Sequence, residues 1–205
     1  MFGSLDFDHY FYQGFNEIEE LISKDKLRGI KLYTCYQKIN LESERVKKIF
    51  DLADRYTLPV MFHIGYSFSS QRKYGKPSVE EMVAPGQLEH LARDYPEVDI
   101  IVSHLGKPYF KELVTLMKQY NNVHTDMSGL INSRYDREQI PWAIDGIRQV
   151  LGELGPQRLL FGTDFPVQTH EDSIYFIEQA MKDYSDFDKH LVYYHNAKTI
   201  LAIYE

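Results

Sequence analysis

Strand-like and helix-like segments alternate along almost the whole of this 205-residue chain, and that alternation limits its fold more than any other feature. Six short stretches are rich in β-branched, aromatic or leucine residues: Gly3–Phe7, Gly29–Thr34, Pro59–Ile64, Asp99–His104, Val123–Met127 and Arg158–Thr163. Helix-period apolar stripes lie between them. The first is Phe15, Ile18, Leu21 and Ile22, and the second is Val46, Ile49, Phe50 and Ala53. Leu88, Leu91 and Ala92 belong to a third, and Leu113, Leu116, Met117 and Tyr120 to a fourth. Ile144, Ile147, Val150 and Leu151 form the fifth, and Ile174, Ile177, Ala180 and Met181 the sixth. Residues 195–204 predict a closing helix. Asn40 or Ser43 can cap the second helix, and Asp172 or Ser173 the sixth. Antiparallel neighbours need only a tight turn, whereas parallel ones need a crossover of roughly a dozen residues or more. The spacing here predicts βα units, hence an α/β fold: one domain over residues 1–205, a parallel sheet with helices packed outside.

Composition narrows the function. With 43% hydrophobic and 26% charged residues the chain can bury a core, so disorder and fibrous classes are excluded. A net charge of −7 argues against a phosphate-binding surface, and no nucleic-acid partner is expected. No apolar run approaches the roughly 20 residues of a membrane span, and the first residues carry no basic, apolar leader. Cys35 is the single cysteine, which excludes an intrachain disulfide. Together these predict a cytoplasmic protein that acts on a small molecule.

Polar residues mark where that action lies. Strands of a covered parallel sheet should be apolar, yet several carry a polar group at the C-terminal end. Val60-Met-Phe-His ends in His63, Ile101-Val-Ser-His in His104, and Phe161-Gly-Thr-Asp in Asp164; Asp126 and Ser128 close a fourth segment. In parallel βα architectures these ends open onto one rim, so the groups converge. Two imidazoles and a carboxylate suit either a metal site or general acid–base work. Tyr33, Tyr66, Phe68 and Phe165 fall where they can line a pocket, and His9 lies just beyond the first strand. Arg72, Lys73, Lys76 and Lys107 are close enough to favour an anionic substrate. By period 2, Asp6 and Lys31 both point inward, which predicts an Asp6–Lys31 ion pair inside the sheet. Cys35 reads as a small buried hydrophobe rather than a nucleophile.

The ordered set of motifs resembles the amidohydrolase-related family. The set runs Gly29-Ile-Lys-Leu-Tyr, Leu58-Pro-Val-Met-Phe-His-Ile-Gly, Ile101-Val-Ser-His-Leu-Gly-Lys-Pro, Thr125-Asp-Met-Ser-Gly, Leu160-Phe-Gly-Thr-Asp-Phe-Pro and His195-Asn-Ala-Lys-Thr-Ile-Leu. The resemblance implies a TIM-barrel-like (β/α) fold with a divalent metal, usually Zn²⁺, at the strand C-termini. It makes His63 a metal ligand, His104 a substrate- or water-binding histidine, and Asp164 a metal contact that also handles protons. It gives Asn196, Ala197 and Leu201 a packing role in the last helix. The family's first strand carries His-x-His, and no His-x-His occurs in this sequence. Gly3–Phe7 matches the family's third strand instead, so an N-terminally incomplete barrel of about six strands is expected. Its exposed sheet edges favour a homodimer. Only His63 and Asp164 then stand as ligands, and the metal is expected to be weakly held or absent unless His104, His9 or a partner chain adds a donor. Three activities follow from the resemblance: metal-dependent hydrolysis of a small carboxylate, lactone or amide, non-oxidative decarboxylation, or a non-catalytic binding module on a truncated barrel.

Overall fold

The computed structural model describes residues 1–34, 36–37, 39–65 and 83–203. Cys35, Tyr66, Phe68, Arg72, Lys73 and Lys76 lie outside the described residues. Six parallel strands form one sheet in chain order: β1 Gly3–Ser4, β2 Ile30–Tyr33, β3 Val60–His63, β4 Ile100–Val102, β5 Val123–Asp126 and β6 Leu159–Leu160. Every expected strand is present, each shorter than its apolar run. The crossovers carry α1 Phe11–Ser23, α2 Glu44–Tyr56, α3 Glu89–Asp94, α4 Phe110–Gln119 and α5 Ile140–Leu154, and α6 His170–Ala180 follows β6. β1 and β6 do not pair among the described residues, so the sheet is TIM-barrel-like but open. No helix among the described residues is long and apolar enough to cross a membrane.

Register gives the sheet two unlike faces. Gly3, Ile30, Val60, Ile100 and Val123 align in one row, and Leu32, Phe62, Val102, Thr125 and Leu159 in another. Ile30, Val60, Phe62, Ile100 and Val123 are wholly buried and share one core with Val46, Ile49 and Phe50 of α2 and Leu113 and Met117 of α4. The period-2 pattern forces the intervening residues to the other face, where Lys31, Met61, Ile101 and His124 align.

That inner face is covered from the C-terminal end of the chain. Here α7 Asp186–His190 runs through a π turn at Leu191–His195 into α8 Asn196–Ile200. The closing helical segment therefore begins about nine residues before the expected 195, nucleated by Ser185, whose hydroxyl accepts from the Asp188 N–H. Ala197 and Ile200 of α8 pack on Met61, Ile101 and Leu160 of the inner face, beside Phe2. Asn196 ties α8 to β6, donating to the carbonyls of Pro156 at 2.6 Å and Leu159 at 2.8 Å. The expected packing role of Asn196 and Ala197 is the one observed.

Of three local expectations, one is resolved between its alternatives and two change. Ser43 rather than Asn40 caps α2, accepting from the Val46 N–H. α6 is capped by Thr169, not Asp172 or Ser173, because the helix starts a turn earlier. Phe176 fills the core position expected of Ile174, which is exposed.

Candidate active site

His63 is the last residue of β3, and β4 leads straight into Ser103-His104-Leu105-Gly106. Both imidazoles are buried, His63 at 8% and His104 at 6% exposure. His63 Nδ1 and His104 Nε2 stand 3.3 Å apart, with ring centroids at 4.7 Å. His104 is held from its other side. Its Nδ1 lies 2.8 Å from the Ser128 carbonyl and 3.0 Å from the Ser128 hydroxyl. A carbonyl can only accept, so His104 Nδ1 carries the proton. With both rings neutral, its Nε2 is then a lone pair that accepts from His63 Nδ1–H, which leaves His63 Nε2 as a lone pair. That atom is buried and has no hydrogen-bond partner among the described residues.

Asp126, at the end of β5, organises this arrangement. Its Oδ1 accepts from the His104 N–H at 3.1 Å, the Ser128 N–H at 2.9 Å and the Ser128 hydroxyl at 2.5 Å. The carboxylate thus bridges two strand ends. His104 and Leu105 both adopt left-handed backbone conformations, with φ of 61° and 52°. Such conformations cost on the order of 1 kcal/mol or more each for residues with a Cβ, and persist where surrounding bonds impose them.

Asp164 lies in the loop after β6, also left-handed at φ 58°. Gly129 sits between it and His104. A Cβ there would stand 2.8 Å from Asp164 Oδ2 and 2.9 Å from His104 Nδ1, so only glycine lets the two approach. His63, His104 and Asp164 therefore share one rim, as strand order demanded. Asp164 is solvent-accessible at the mouth, but surrounding atoms crowd its carboxyl enough that burial raises its pKa. Nearby His104 and Lys31 oppose the rise and Asp126 adds to it. His63 is pushed down to about 3, chiefly by burial and further by His104 and Lys31.

The remaining expectations divide. Tyr33 pairs with His63 in register and lies beside its ring at 6.2 Å, while Tyr36, which sequence reading missed, meets it edge-on at 5.7 Å. Phe165 is 66% exposed and packs on His170 at 5.5 Å, away from the cavity. Lys107 is buried, donates to the Leu130 carbonyl at 2.7 Å, and is lowered to about 8 by burial. The Asp6–Lys31 pair does not form. β1 stops at Ser4, so period 2 no longer governs residue 6, and Asp6 instead accepts from the N–H groups of Asp8 and His9 at the surface. Lys31 lies over the Tyr33 ring at 5.1 Å. Gly129 was legible only as the glycine ending Thr125-Asp-Met-Ser-Gly.

A divalent cation finds part of its shell at the rim. His63 Nε2 is a buried nitrogen, unpartnered among the described residues, of the kind that ligates zinc, and Asp164 offers a carboxylate on the same rim. Catalytic zinc ordinarily takes three protein ligands. Among the described residues, the one trio of His, Cys, Asp or Glu with ligand atoms all within 4.8 Å is Asp6, Asp8 and His9, all exposed and outside the cavity. The rim donors thus fit an ion incompletely.

A family model described as amidohydrolase matches residues 7–203. An uncharacterised TIM-barrel protein from Bordetella bronchiseptica superposes with a TM-score of 0.71 at 16% identity, over 98% of this chain and 66% of that one. An amidohydrolase from Burkholderia multivorans with bound zinc gives 0.66 at 14%, over 91% and 69%. A 5-carboxyvanillate decarboxylase from Sphingomonas paucimobilis gives 0.65 at 17%, over 95% and 64%. The chain spans about two thirds of the length of these structures, and at such identities the likeness is one of fold. No curated protein matches the sequence.

Proposed function

The chain belongs to the amidohydrolase family, and on that premise we propose that its rim hydrolyses a small carboxylate-bearing lactone, ester or amide, with His63 and Asp164 contributing to the shell of a divalent cation. The observation that carries this reading is the contact of His63 with His104 at 3.3 Å, with Asp164 held against His104 across Gly129. When bound, such a cation lowers the pKa of a water and polarises a carbonyl. The residues do the rest. Asp164, its carboxyl shifted toward neutral pH by burial, takes a proton and returns it to the leaving group. His104 has its only N–H committed to the Ser128 carbonyl. With its Nε2 facing His63 Nδ1, His104 acts by orienting the His63 ring, so that His63 Nε2 is left free to hold the cation. Ser128 and Asp126 keep the His104 ring in place. The incomplete donor set makes metal binding weak unless a further donor joins from outside the described residues.

Decarboxylation is the competing chemistry, supported by the decarboxylase among the similar structures. It would need Asp164 to deliver its proton to carbon. Product analysis on zinc-loaded protein with a lactone panel and an aromatic-acid panel separates the two. Under the hydrolytic reading, Asp164→Asn and His104→Gln lower lactone turnover by roughly 10²–10⁴-fold with the fold intact. Unchanged turnover in both variants overturns it.

A further inference from the structure

Three loops meet at the rim, and one buried side-chain amide ties two of them together. The loop after β5 runs Met127-Ser128-Gly129-Leu130-Ile131. It brings the Ser128 carbonyl to His104 Nδ1 and sets Gly129 between His104 and Asp164. The loop after β6 carries Asp164 and, four residues on, Gln168, which is completely buried. Gln168 Oε1 accepts from the Leu130 N–H at 2.9 Å and the Ile131 N–H at 3.4 Å. Its Nε2 donates to the Met127 carbonyl at 3.5 Å and to the Ser173 hydroxyl of α6 at 2.7 Å. Only this orientation of the amide serves all four bonds, because a flipped amide would set its NH₂ against two N–H groups. By residue 130 the chain has left the β5–β6 ladder, and the Gln168 side chain takes the place of a neighbouring strand.

The same loop is gripped from the His104 side. Lys107, three residues after His104, is buried and donates to the Leu130 carbonyl at 2.7 Å. The two backbone polar groups of Leu130 thus go to opposite neighbours, the carbonyl to the turn of His104 and the N–H to the loop of Asp164. The Gly129 N–H adds a bond to the Thr163 carbonyl at 3.3 Å, and the Val167 N–H closes the Asp164 loop on the Asp164 carbonyl at 2.9 Å. We propose that Gln168 is a positioning residue of the rim: it holds the Met127–Ile131 loop against the loop of Asp164, and so keeps the Ser128 carbonyl on His104 Nδ1 and the His104 ring in the tautomer that orients His63. Gln168 does not itself line the inner-face cavity of about 280 Å³ that Asp126, Ser128 and Asp164 border; it acts through Ser128 and His104. Its effect on turnover rests on the hydrolytic reading of the rim, whereas its hold on His104 does not.

Hydrogen exchange on the wild-type, metal-free chain needs no variant. The Leu130 and Ile131 amides should be protected to the level of the β5 amides although they lie in a loop, and exchange at the rate of an open loop would overturn the proposal. Histidine-ring ¹⁵N spectra then compare wild type, Gln168→Met and Gln168→Glu. Gln168→Met keeps the length and removes all four bonds. It should lower protection at residues 130 and 131 by roughly tenfold or more and abolish the single Nδ1–H signature of His104. Gln168→Glu keeps the acceptor that Leu130 and Ile131 use, so it should retain that signature. On a substrate that the wild type hydrolyses, Gln168→Met should lower kcat by about 10²-fold with KM unchanged, and Gln168→Glu should restore most of it. A glutamine that only stabilises the fold would leave the His104 signature of folded Gln168→Met unaltered, and that result would overturn the proposal. Neither exchange nor ring signal reads turnover. A wild type with protected Leu130 and Ile131 amides, a His104 signal that answers to Gln168→Met, and no hydrolysis would strike the hydrolase reading alone.

Discussion

The same six strands present two faces built on opposite rules. The helix-facing side carries Ile30, Leu32, Val60, Phe62, Ile100 and Val102, all within 1% of complete burial, and nothing ionisable. The inner side carries Lys31, Tyr33, His63, His124 and Asp126 among its apolar residues, together with two buried nitrogens, His63 Nε2 and His124 Nδ1, that have no hydrogen-bond partner among the described residues. One face supplies the free energy; the other spends some of it on a geometry that folding alone would not select. Substitutions on the two faces should therefore separate stability from chemistry.

The largest stability effect belongs to the outer face. Phe62→Ala opens a cavity between β3 and α2, where Phe62 meets Phe50 at 6.1 Å, and should cost about 3–5 kcal/mol in urea unfolding, with turnover retained in whatever fraction stays folded. The next effect is read from acid. His63 is held at about 3 in the fold against an ordinary 6.5, so the unfolded chain binds the proton first. Stability linked to this group is complete above pH 6.5 and drains away as pH falls from there toward 3, on the order of a few kcal/mol. His63→Ala should flatten the metal-free stability profile across that window; an unchanged slope would mean that the imidazole is not buried as described.

Asp126→Ala should follow, at about 2–3 kcal/mol, because it strands the buried N–H groups of His104 and Ser128 at once. Its signature beyond unfolding is loss of the Nδ1–H tautomer of His104 in ¹⁵N spectra. Gly129→Ala should cost about 1 kcal/mol of backbone strain plus the displacement of the buried His104 ring, and should lower turnover sharply by forcing His104 and Asp164 apart. A variant that loses stability and activity in proportion would erase the distinction between the faces.

Much of this was legible in the residues. Alternating periods placed all six strands, and the polar ends of three of them placed His63, His104 and Asp164 on one rim, because parallel strands leave their C-termini no other direction. What escaped had local causes. The Asp6–Lys31 pair failed because alternation was carried two residues past the end of β1. The left-handed turns at His104, Leu105 and Asp164 have no sequence signal, since none is glycine and their cost is met by bonds from Asp126 and by packing across Gly129. The early start of the closing helical segment reflects capping by Ser185, and its π turn had no visible marker. Phe165 was given a pocket role by position alone; its ring packs on His170.

Zinc titration of the metal-free chain with a competing chromophoric chelator tests the central claim most directly. The wild-type protein should bind one ion weakly, His63→Ala and Asp164→Asn should each abolish that binding, and His9→Ala, at the exposed Asp6–Asp8–His9 cluster, should leave it unchanged. Binding that survives both rim substitutions but disappears with His9→Ala would move the metal to the surface and contradict the account.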